Sequence, residues 1–242
     1  MKALITGGSQ GLGAALVRCL IARGAQVCIV DRVPPTAQAG VAFVRCDLSD
    51  MDAIAGLALA LPRAGPFDLV VMSAGISAVG AFETLPADTI EEVLDVNCLA
   101  PILLSRELLA SGLIARGGRL VFVSSLSHFT GYPGASVYAA SKDALVAFAR
   151  SVRRPLRVGH GIIVQVVTPG PMRTAHAVHY APPGSTGKGR ADPDHVARVI
   201  LRARRRLLIV PGLSARLMAI LGRIFPGIAT RAMRRIIFER LT

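Results

Sequence analysis

Tyr138 and Lys142 are a pair of residues whose types and spacing could do chemistry. They stand four apart in a segment whose composition favours helix, so they share one helix face. Ser125 ends an apolar, strand-like run thirteen residues before Tyr138. An unperturbed phenol, with a pKa of ~10, is a poor base at neutral pH. We expect the Lys142 ammonium to lower that pKa, so that the phenol could take a proton from an alcohol or give one to a carbonyl oxygen.

A glycine-rich turn near the N-terminus lies between elements that could bind a dinucleotide. Residues 2–5 are typical of a short buried strand, and a helical pattern runs from Leu12 to Arg23. Glycines let the backbone approach a pyrophosphate, and a helix N-terminus offers free N–H groups and a positive dipole end. The spacing is not the usual Gly-x-Gly-x-x-Gly, so the order of strand, turn and helix carries the inference. The candidate cofactor-binding residues here are Gly7, Ser9, Gln10, Gly11, Leu12 and Gly13.

These motifs, at these distances, resemble the short-chain dehydrogenases/reductases in their compact single-domain form. The resemblance covers the chain from Thr6 to about Thr174. It implies that Ser125, Tyr138 and Lys142 are a catalytic triad and that Asn97 is the fourth member. It also implies that Tyr138 and Lys142 contact the nicotinamide end of the cofactor.

The same resemblance assigns further cofactor contacts. It implies that Asp47, followed by Leu48, contacts the adenine, and that a later segment closes over the nicotinamide. Where the family usually has Asn-Asn-Ala-Gly, this chain has Met-Ser-Ala-Gly, which keeps the close-approach residues but loses the amide side chains. The residues concerned are Ala74, Gly75, Pro169, Gly170 and Thr174.

Asp31, at the end of the second predicted strand, bears on the choice of cofactor. A carboxylate at this point can accept hydrogen bonds from the adenosine ribose and repel a 2′-phosphate. Arg32 works against this, because a guanidinium there could recruit a 2′-phosphate. Phosphate-binding members of the family often carry a basic residue where this chain has Gln10. We therefore expect NAD(H) to be preferred, with NADP(H) left open.

The order of apolar segments predicts an α/β fold, a Rossmann-like doubly wound parallel sheet of about seven strands in a single domain, residues 1–242. Strands are predicted near 2–5, 26–30, 41–46, 67–72, 119–124, 161–167 and 207–210. Helical patterns lie between most of them. Pro34 and Pro35 remove backbone donors, so the third crossover helix should be vestigial.

Composition and cysteine usage predict a cytoplasmic protein. It has 242 residues, 52% of them hydrophobic, and no apolar run long enough to cross a membrane. The first strand begins at once, which leaves no room for a signal peptide. The four cysteines have no pair or metal spacing, so we expect reduced thiols and no metal.

The formal charge of +13 is concentrated near the C-terminus. From Arg190 onward there are twelve arginines and three acids. Several arginines, from Arg202 to Arg206, should close a helix that begins at Asp192. Beyond it, residues of about 212–242 form a basic amphipathic tail in which Leu213, Leu217, Ile220, Leu221 and Ile224 share one face. This distribution does not favour nucleic acid. The tail could lie on an anionic membrane surface, cover the substrate cleft or contact another subunit.

The remaining expectations concern substrate and assembly. Residues of about 175–192 should form a mobile lid, in which His176, His179 and Tyr180 could touch substrate. Family members commonly pair through the helices that carry Asn97 and Tyr138, which implies a homodimer or homotetramer. We expect Leu145, Val146, Phe148 and Ala149 to give the second helix its apolar surface for pairing.

The sequence thus favours an NAD(P)(H)-dependent oxidoreductase that interconverts a secondary alcohol and a ketone, with a hydrophobic substrate. Two other interpretations stay open. The first is a non-catalytic nucleotide-sensing or scaffold protein on the same fold. The second is an enzyme whose tail makes it a peripheral membrane protein.

Overall fold

A parallel sheet of seven strands forms the middle layer of the structure, a computed structural model that describes residues 1–61, 64–181, 187–203, 206–236 and 239. The strands are β1 (Lys2–Thr6), β2 (Gln26–Asp31), β3 (Val41–Arg45), β4 (Phe67–Met72), β5 (Ile114–Val123), β6 (Ile163–Val167) and β7 (Leu208–Ile209). Their order across the sheet is β3-β2-β1-β4-β5-β6-β7, and every neighbouring pair is parallel. The predicted doubly wound fold is confirmed.

Helices cover both faces of this sheet. They are α1 (Gly11–Ile21), α2 (Met51–Ala60), α3 (Ala87–Leu94), α4 (Ala100–Ala110), α5 (Ser127–Thr130), α6 (Ser136–His160), α7 (Ala175–His179), α8 (Pro193–Arg202), α9 (Leu213–Ile224) and α10 (Pro226–Ile236). A π-helical turn, Asp95–Leu99, joins α3 to α4. Helices α1 and α8 pack together on one face, and α2, α4 and α6 lie over the other.

The core lies on both sides of the central strands. Alternate residues of β1 separate into two apolar clusters: Leu4 packs on one face and Ile5 on the other, and both are fully buried. Strands buried on both faces have nearly continuous apolar sequences, as residues 67–72 do. Their burial supplies the main driving force for folding.

The chain reverses its direction of winding between β1 and β4. From β1 it moves outward to β2 and β3, then returns to β4 on the other side of β1 and continues to β7. At such a switch point the loops that follow the two central strands diverge and leave a crevice at their carboxyl ends. Thr6 of β1 pairs with Met72 of β4 at that edge.

Several predicted boundaries differ from the structure by a few residues. The first helix ends at Ile21 rather than Arg23, and β5 begins at Ile114, earlier than predicted. Residues 32–40 contain no helix, which confirms the effect expected of Pro34 and Pro35. Helix α8 begins at the predicted Asp192 cap but ends at Arg202. Arg206 lies beyond this helix, and residues 204–205 lie outside the described part of the chain.

The apolar side chains expected to form a pairing surface on α6 are instead part of the core. Leu145, Val146 and Ala149 are almost fully buried, and Phe148 packs edge-on against Phe122 with ring centroids 5.6 Å apart. That expectation was wrong because this face of α6 packs on β5 and β6 of its own sheet. None of the described helices is long and apolar enough to cross a membrane.

Candidate active site

The glycine turn after β1 forms a close-packed cradle. Gly7 has a φ of +66°, and a Cβ on it would lie 2.7 Å from the Cα of Ala74. A Cβ on Gly13 would overlap the carbonyl oxygen of Gly7. Only glycine fits at these two points, so the turn lies close against both α1 and the segment after β4. Leu12 is buried beneath the turn.

The first turn of α1 is free to receive an anion. Gln10 is its N-cap but makes no side-chain capping hydrogen bond, and the first turn contains no acidic residue. The first N–H groups of a helix have no partner within the helix, so they attract negative charge. A pyrophosphate is the type of group that this cradle and helix end would hold.

Asp31 holds the glycine turn against the end of β2. Its carboxylate accepts hydrogen bonds from the backbone N–H of Ser9, at 3.0 Å, and of Val33, at 3.2 Å. The hydroxyl of Ser9 donates to the carbonyl oxygen of Val33 at 2.6 Å. Arg32 is exposed beside this carboxylate. The residue expected to contact the ribose therefore also fixes the shape of the turn.

Asp47 occupies the corresponding position after β3. The N–H and hydroxyl of Ser49 both donate to Asp47 Oδ1, at 3.0 and 2.8 Å. These two hydrogen bonds, with a smaller contribution from the charge of Arg32, lower the pKa of the Asp47 carboxyl group. Leu48 is buried next to it. Asp47 and Asp31 end adjacent strands, so both lie at the same edge of the sheet.

The segment after β4 is held by Thr6, which sequence reasoning did not single out. Its hydroxyl oxygen accepts hydrogen bonds from the backbone N–H groups of Ser73, at 3.0 Å, and Ala74, at 3.2 Å. Thr6 is almost fully buried at the end of β1. The missing amide side chains of the family pattern are therefore not needed to fix this segment to the sheet.

Asn97 is fully buried in the π-helical turn between α3 and α4. Its side-chain oxygen accepts from the N–H of Ile76 at 2.9 Å. Its amide nitrogen donates to the carbonyl oxygen of Ile76 at 2.8 Å and to the Ser141 hydroxyl oxygen at 3.0 Å. Single π-helical turns occur frequently at functional sites. This one turns Asn97 toward the segment after β4 and toward α6.

Ser125, Tyr138 and Lys142 come together where β5 ends against α6. The Ser124 hydroxyl donates to the carbonyl oxygen of Lys142 at 2.8 Å and joins the two elements. The Lys142 Nζ atom lies 5.8 Å from the centroid of the Tyr138 ring, as expected for residues on one helix face. A side-chain hydrogen bond links Ser125 to Tyr138.

The pKa values of Tyr138 and Lys142 differ from those expected of a phenol beside an ammonium group. Tyr138 keeps part of its surface open to solvent, but its phenol group lies deep enough for burial to raise the pKa, and the bond to Ser125 offsets this only in part. Burial also lowers the pKa of Lys142 to about 8. The expected net lowering of the Tyr138 pKa was wrong, because desolvation disfavours the charged phenolate more than the neighbouring groups favour it.

Gly75 brings Asn97 and Lys142 into one site. A Cβ on Gly75 would lie 2.8 Å from Lys142 Nζ and 3.0 Å from Asn97 Oδ1. Both side chains therefore crowd against the backbone of this residue. The four predicted catalytic residues thus come from three parts of the chain: the π-helical turn, the segment just after β5, and helix α6, which contributes two.

The predicted nicotinamide segment follows β6. The Pro169 carbonyl oxygen accepts from the Leu126 N–H at 2.9 Å, which joins this segment to the residue after Ser125. A Cβ on Gly11 would lie 3.4 Å from Thr174 Cγ2, so Thr174 reaches the glycine turn. Gly170 lies between the side chains of Leu126 and Ala215.

The predicted lid begins with helix α7, whose N-terminus is capped by the Thr174 hydroxyl through the Ala177 N–H at 3.1 Å. The Tyr180 ring contacts those of His176 and His179. Partial burial, followed by the positive charge of Lys142, lowers the pKa of His176 to about 4. Residues 182–186 of the lid lie outside the described part of the chain.

An open cleft of about 440 Å³ lies next to these residues. Its walls include Arg32 from the end of β2, Ile76 from the segment after β4 and Tyr180 from the lid. Among the described residues, no cluster of three or more His, Cys, Asp or Glu side chains is placed to hold a metal ion. The four cysteines are free thiols, and burial raises the pKa of Cys28 and of Cys46 to about 11.

Known proteins share this architecture and part of this sequence. Residues 1–182 match the family model described as short chain dehydrogenase. The chain belongs to the short-chain dehydrogenase/reductase family. The cyclic-di-GMP-binding biofilm dispersal mediator protein of Escherichia coli is 35% identical over 178 residues, which are 71% of this chain and 73% of that protein.

Two further relatives extend the comparison. The 3-oxoacyl-(acyl-carrier-protein) reductase MabA of Mycobacterium bovis is 31% identical over 168 residues, 69% of this chain and 67% of that protein. The crystal structure of a short chain dehydrogenase from Burkholderia cenocepacia in complex with NADP has a TM-score of 0.74 and 28% identity, and the match covers 89% of this chain and 97% of that chain. The family is one of oxidoreductases that use a nicotinamide cofactor.

Proposed function

We propose that this chain is an NAD(P)(H)-dependent oxidoreductase that interconverts a ketone and a secondary alcohol. The observation that carries the proposal is the convergence of four side chains: Asn97 and Lys142 lie beside Gly75, Tyr138 lies next to Lys142, and Ser125 is hydrogen-bonded to Tyr138. A proton donor, a hydroxyl that can hold the reacting oxygen and a buried cation are the groups that such a reaction needs from a protein. The chemistry requires all of them in one place.

Tyr138 is the proposed acid and base. The phenol is protonated at neutral pH, because its ordinary pKa of ~10 is already well above 7 and burial raises it further. In the reductive direction it would donate this proton to the carbonyl oxygen, and in the oxidative direction the phenolate would take one from the hydroxyl. The Ser125 hydroxyl would hydrogen-bond the same oxygen and stabilise charge that develops on it.

Lys142 and Asn97 support that proton transfer. With a pKa of about 8, Lys142 carries a positive charge at neutral pH and would stabilise the phenolate form of Tyr138. We also expect it to hold the nicotinamide ribose, through donors that its ammonium has free. Asn97, buried next to Lys142, would position a water molecule in the proton relay behind it.

The cofactor site has the shape and polarity that a nicotinamide dinucleotide needs. Gly7 and Gly13 let the turn pack closely against the segment after β4 and against α1, which fixes its shape, and the uncapped N-terminus of α1 favours a pyrophosphate. When bound, the cofactor supplies the hydride that the side chains of the protein cannot provide. Asp31 would accept hydrogen bonds from the adenosine ribose, which supports our proposal that NAD(H) is preferred to NADP(H).

The proposed substrate is hydrophobic. Leu126 and Phe129 follow Ser125, and the apolar helix α9 packs on the same segment. The name of the relative from Mycobacterium bovis, a 3-oxoacyl-(acyl-carrier-protein) reductase, supports reduction of a ketone as the reaction type. The cleft that includes Tyr180 supplies space beside the cofactor residues.

A binding protein without catalysis is the second candidate. One relative, from Escherichia coli, is named for binding cyclic di-GMP, which favours a nucleotide-sensing role on this fold. Such a role gives no reason for Ser125, Tyr138 and Lys142 to occur together with a buried Asn97. The two candidates therefore differ in turnover, since both would bind a nucleotide.

Replacing Tyr138 with Phe tests the proposed function. We expect Tyr138→Phe to reduce ketone reduction by about 10²–10⁴-fold, because only the proton donor is removed. Binding of NADH, followed by its fluorescence, should stay close to that of the natural chain. Tyr132→Phe is the matched control: its ring lies 6.0 Å from that of Tyr138, and it should keep most of the activity.

The screen that precedes this comparison uses alcohols and ketones with both cofactors. Retention of more than a tenth of the activity by Tyr138→Phe would reject the role of Tyr138. Binding of NADH by the natural chain without turnover of any carbonyl compound would favour the nucleotide-sensing protein instead.

A further inference from the structure

Helix α9 faces the protein with its smallest residues. Ala215, Ala219 and Gly222 are its buried positions. A Cβ on Gly222 would overlap the carbonyl oxygen of Phe129 in the segment after Ser125, so the helix approaches that backbone closely. The inward face of α9 thus packs on α5 through these small residues.

The large apolar residues of α9 point the other way. At about 100° per residue they form a stripe opposite the small residues, and the stripe is open to solvent. Leu213 is 84% exposed, and Ile224 is 60% exposed. The stripe continues into the junction with α10. We call the following set the apolar stripe: Leu213, Leu217, Ile220, Leu221, Ile224, Phe225 and Ile228.

Arginines border this stripe. Arg216 and Arg223 lie along one edge of α9, about a quarter turn from its centre, and Arg216 also donates to the Val210 carbonyl oxygen at 3.1 Å. Helix α10 packs on α5 through Ala229 and through Thr230, whose hydroxyl donates to the Thr130 carbonyl oxygen at 3.1 Å. This leaves three further arginines exposed: Arg231, Arg234 and Arg235.

No carboxylate balances these charges in the sequence between Asp194 and Glu239. A second copy packed symmetrically on the same face would bring two arginine-rich patches together, because the same patch occurs on both sides of a two-fold axis. Like charges brought together in this way oppose association. The occupant that complements the face must therefore be apolar where it meets the stripe and negatively charged at its border.

We propose that α9 and α10 dock on the surface of an anionic lipid bilayer. The apolar stripe would lie at the boundary between headgroups and acyl chains, and the bordering arginines would reach lipid phosphates. Arginine suits this position because its long apolar stem can lie along the acyl region while the guanidinium stays among the headgroups. The small inward face keeps the helices attached to the folded protein during contact.

Vesicle flotation with the full chain tests the proposal. We expect binding to phosphatidylcholine vesicles that contain about 30 mol % phosphatidylglycerol, and at least about tenfold weaker binding to phosphatidylcholine alone. Leu217→Gln combined with Ile224→Gln should reduce the partition coefficient at least about tenfold, since the inserted area is lost. Arg223→Gln combined with Arg231→Gln and Arg234→Gln should reduce it at least about a hundredfold.

Matched controls lie on α6. Val158→Gln removes an apolar side chain that is 75% exposed, and Arg153→Gln combined with Arg154→Gln removes exposed charge. These variants should bind vesicles as the natural chain does. Equal losses in the α6 and α9 variants would overturn the proposal, because the contact would then come from net charge or general hydrophobicity.

An introduced tryptophan locates the contact directly. The chain has no tryptophan, so Ile224→Trp and, as a control, Val158→Trp each give a single fluorophore. We expect brominated acyl chains in anionic vesicles to quench the first and not the second. Absence of quenching at position 224 would overturn the proposal, as would light scattering in which Leu217→Gln with Ile224→Gln dissociates a larger assembly while vesicle binding is unchanged.

Discussion

At the scale of single residues, burial controls the charges in the candidate site. The phenol of Tyr138 and the ammonium of Lys142 lie close together. Even so, the pKa of Tyr138 is raised and that of Lys142 is lowered, so both shifts favour the uncharged form of the group. Removal from water disfavours any charge, and at these two residues that effect exceeds the effect of neighbouring groups. At neutral pH the phenol is therefore protonated and Lys142 is mostly charged.

Asp31 combines a structural role in the glycine turn with its proposed role in cofactor binding. Its oxygens already accept from the N–H groups of Ser9 and Val33. A carboxylate can accept about four hydrogen bonds, so it has room for ribose hydroxyls as well. At ~4 Å it would also repel a 2′-phosphate by about 1 to 4 kcal/mol, which is about one to three decades in affinity.

Asp31→Ala should therefore change the cofactor preference. We expect NADP(H) activity to rise and NAD(H) binding to weaken, through loss of the ribose contacts and of the support to the glycine turn. Arg32→Ala is the matched change: it should lower NADP(H) activity and barely affect NAD(H). The measurement is kcat/KM with each cofactor. A natural enzyme that used NADPH ten times better than NADH would show that Arg32 dominates.

At the scale of elements, one glycine joins two parts of the site. Gly75 follows β4 and lies against Asn97, which the π-helical turn directs inward, and against Lys142 from α6. The tip of the Lys142 side chain can move at small cost in stability, whereas the proposed reaction depends on where its ammonium group lies. The contact therefore affects function more than folding.

Gly75→Ala should separate these two effects. The added Cβ would displace Lys142 Nζ, so we expect activity and NADH binding to fall at least about tenfold. The free energy of unfolding should change by less than about 1.5 kcal/mol. The control is Gly56→Ala on α2, where an added Cβ would meet nothing within 4 Å. Unchanged activity in Gly75→Ala would contradict the close arrangement of Asn97 and Lys142.

At the scale of the whole molecule, the winding of the sheet creates the site. The loops after β1 and β4 diverge at the switch point, and the candidate cofactor residues lie along that crevice. The face opposite the core of α6 carries exposed arginines rather than the predicted apolar surface. Two exposed apolar residues, Leu94 at the end of α3 and Leu99 in the π-helical turn, offer a different surface for pairing of subunits.

We predict that the chain is a dimer or tetramer in solution and that this surface takes part. Leu94→Glu combined with Leu99→Glu should lower the mass measured by light scattering, because a like charge would face its copy across a symmetric interface. Leu59→Glu, at an equally apolar and 88% exposed position on α2, is the control. A mass near the 25.4 kDa of one chain for the natural protein at micromolar concentration would contradict the prediction.

The sequence alone determined the fold class, because its signals are local. Apolar strands that alternate with helical patterns specify a parallel sheet, and two adjacent prolines remove the backbone donors that a helix interior needs. The spacing of Tyr138 and Lys142 places them on one helix face by geometry that does not depend on the rest of the molecule. The same local periodicity predicted the shared apolar face of α9.

The tertiary structure alone decided which face of a helix is buried and how the pKa of a group such as the Tyr138 phenol is shifted. Local periodicity defines a stripe on α9 but not its orientation, which follows from the close contact between Gly222 and Phe129. The π-helical turn around Asn97 and the support that Thr6 gives to the segment after β4 join residues far apart in sequence. The pKa of Tyr138 depends on how much protein surrounds the phenol, and burial is a property of the folded chain that no spacing of residues contains.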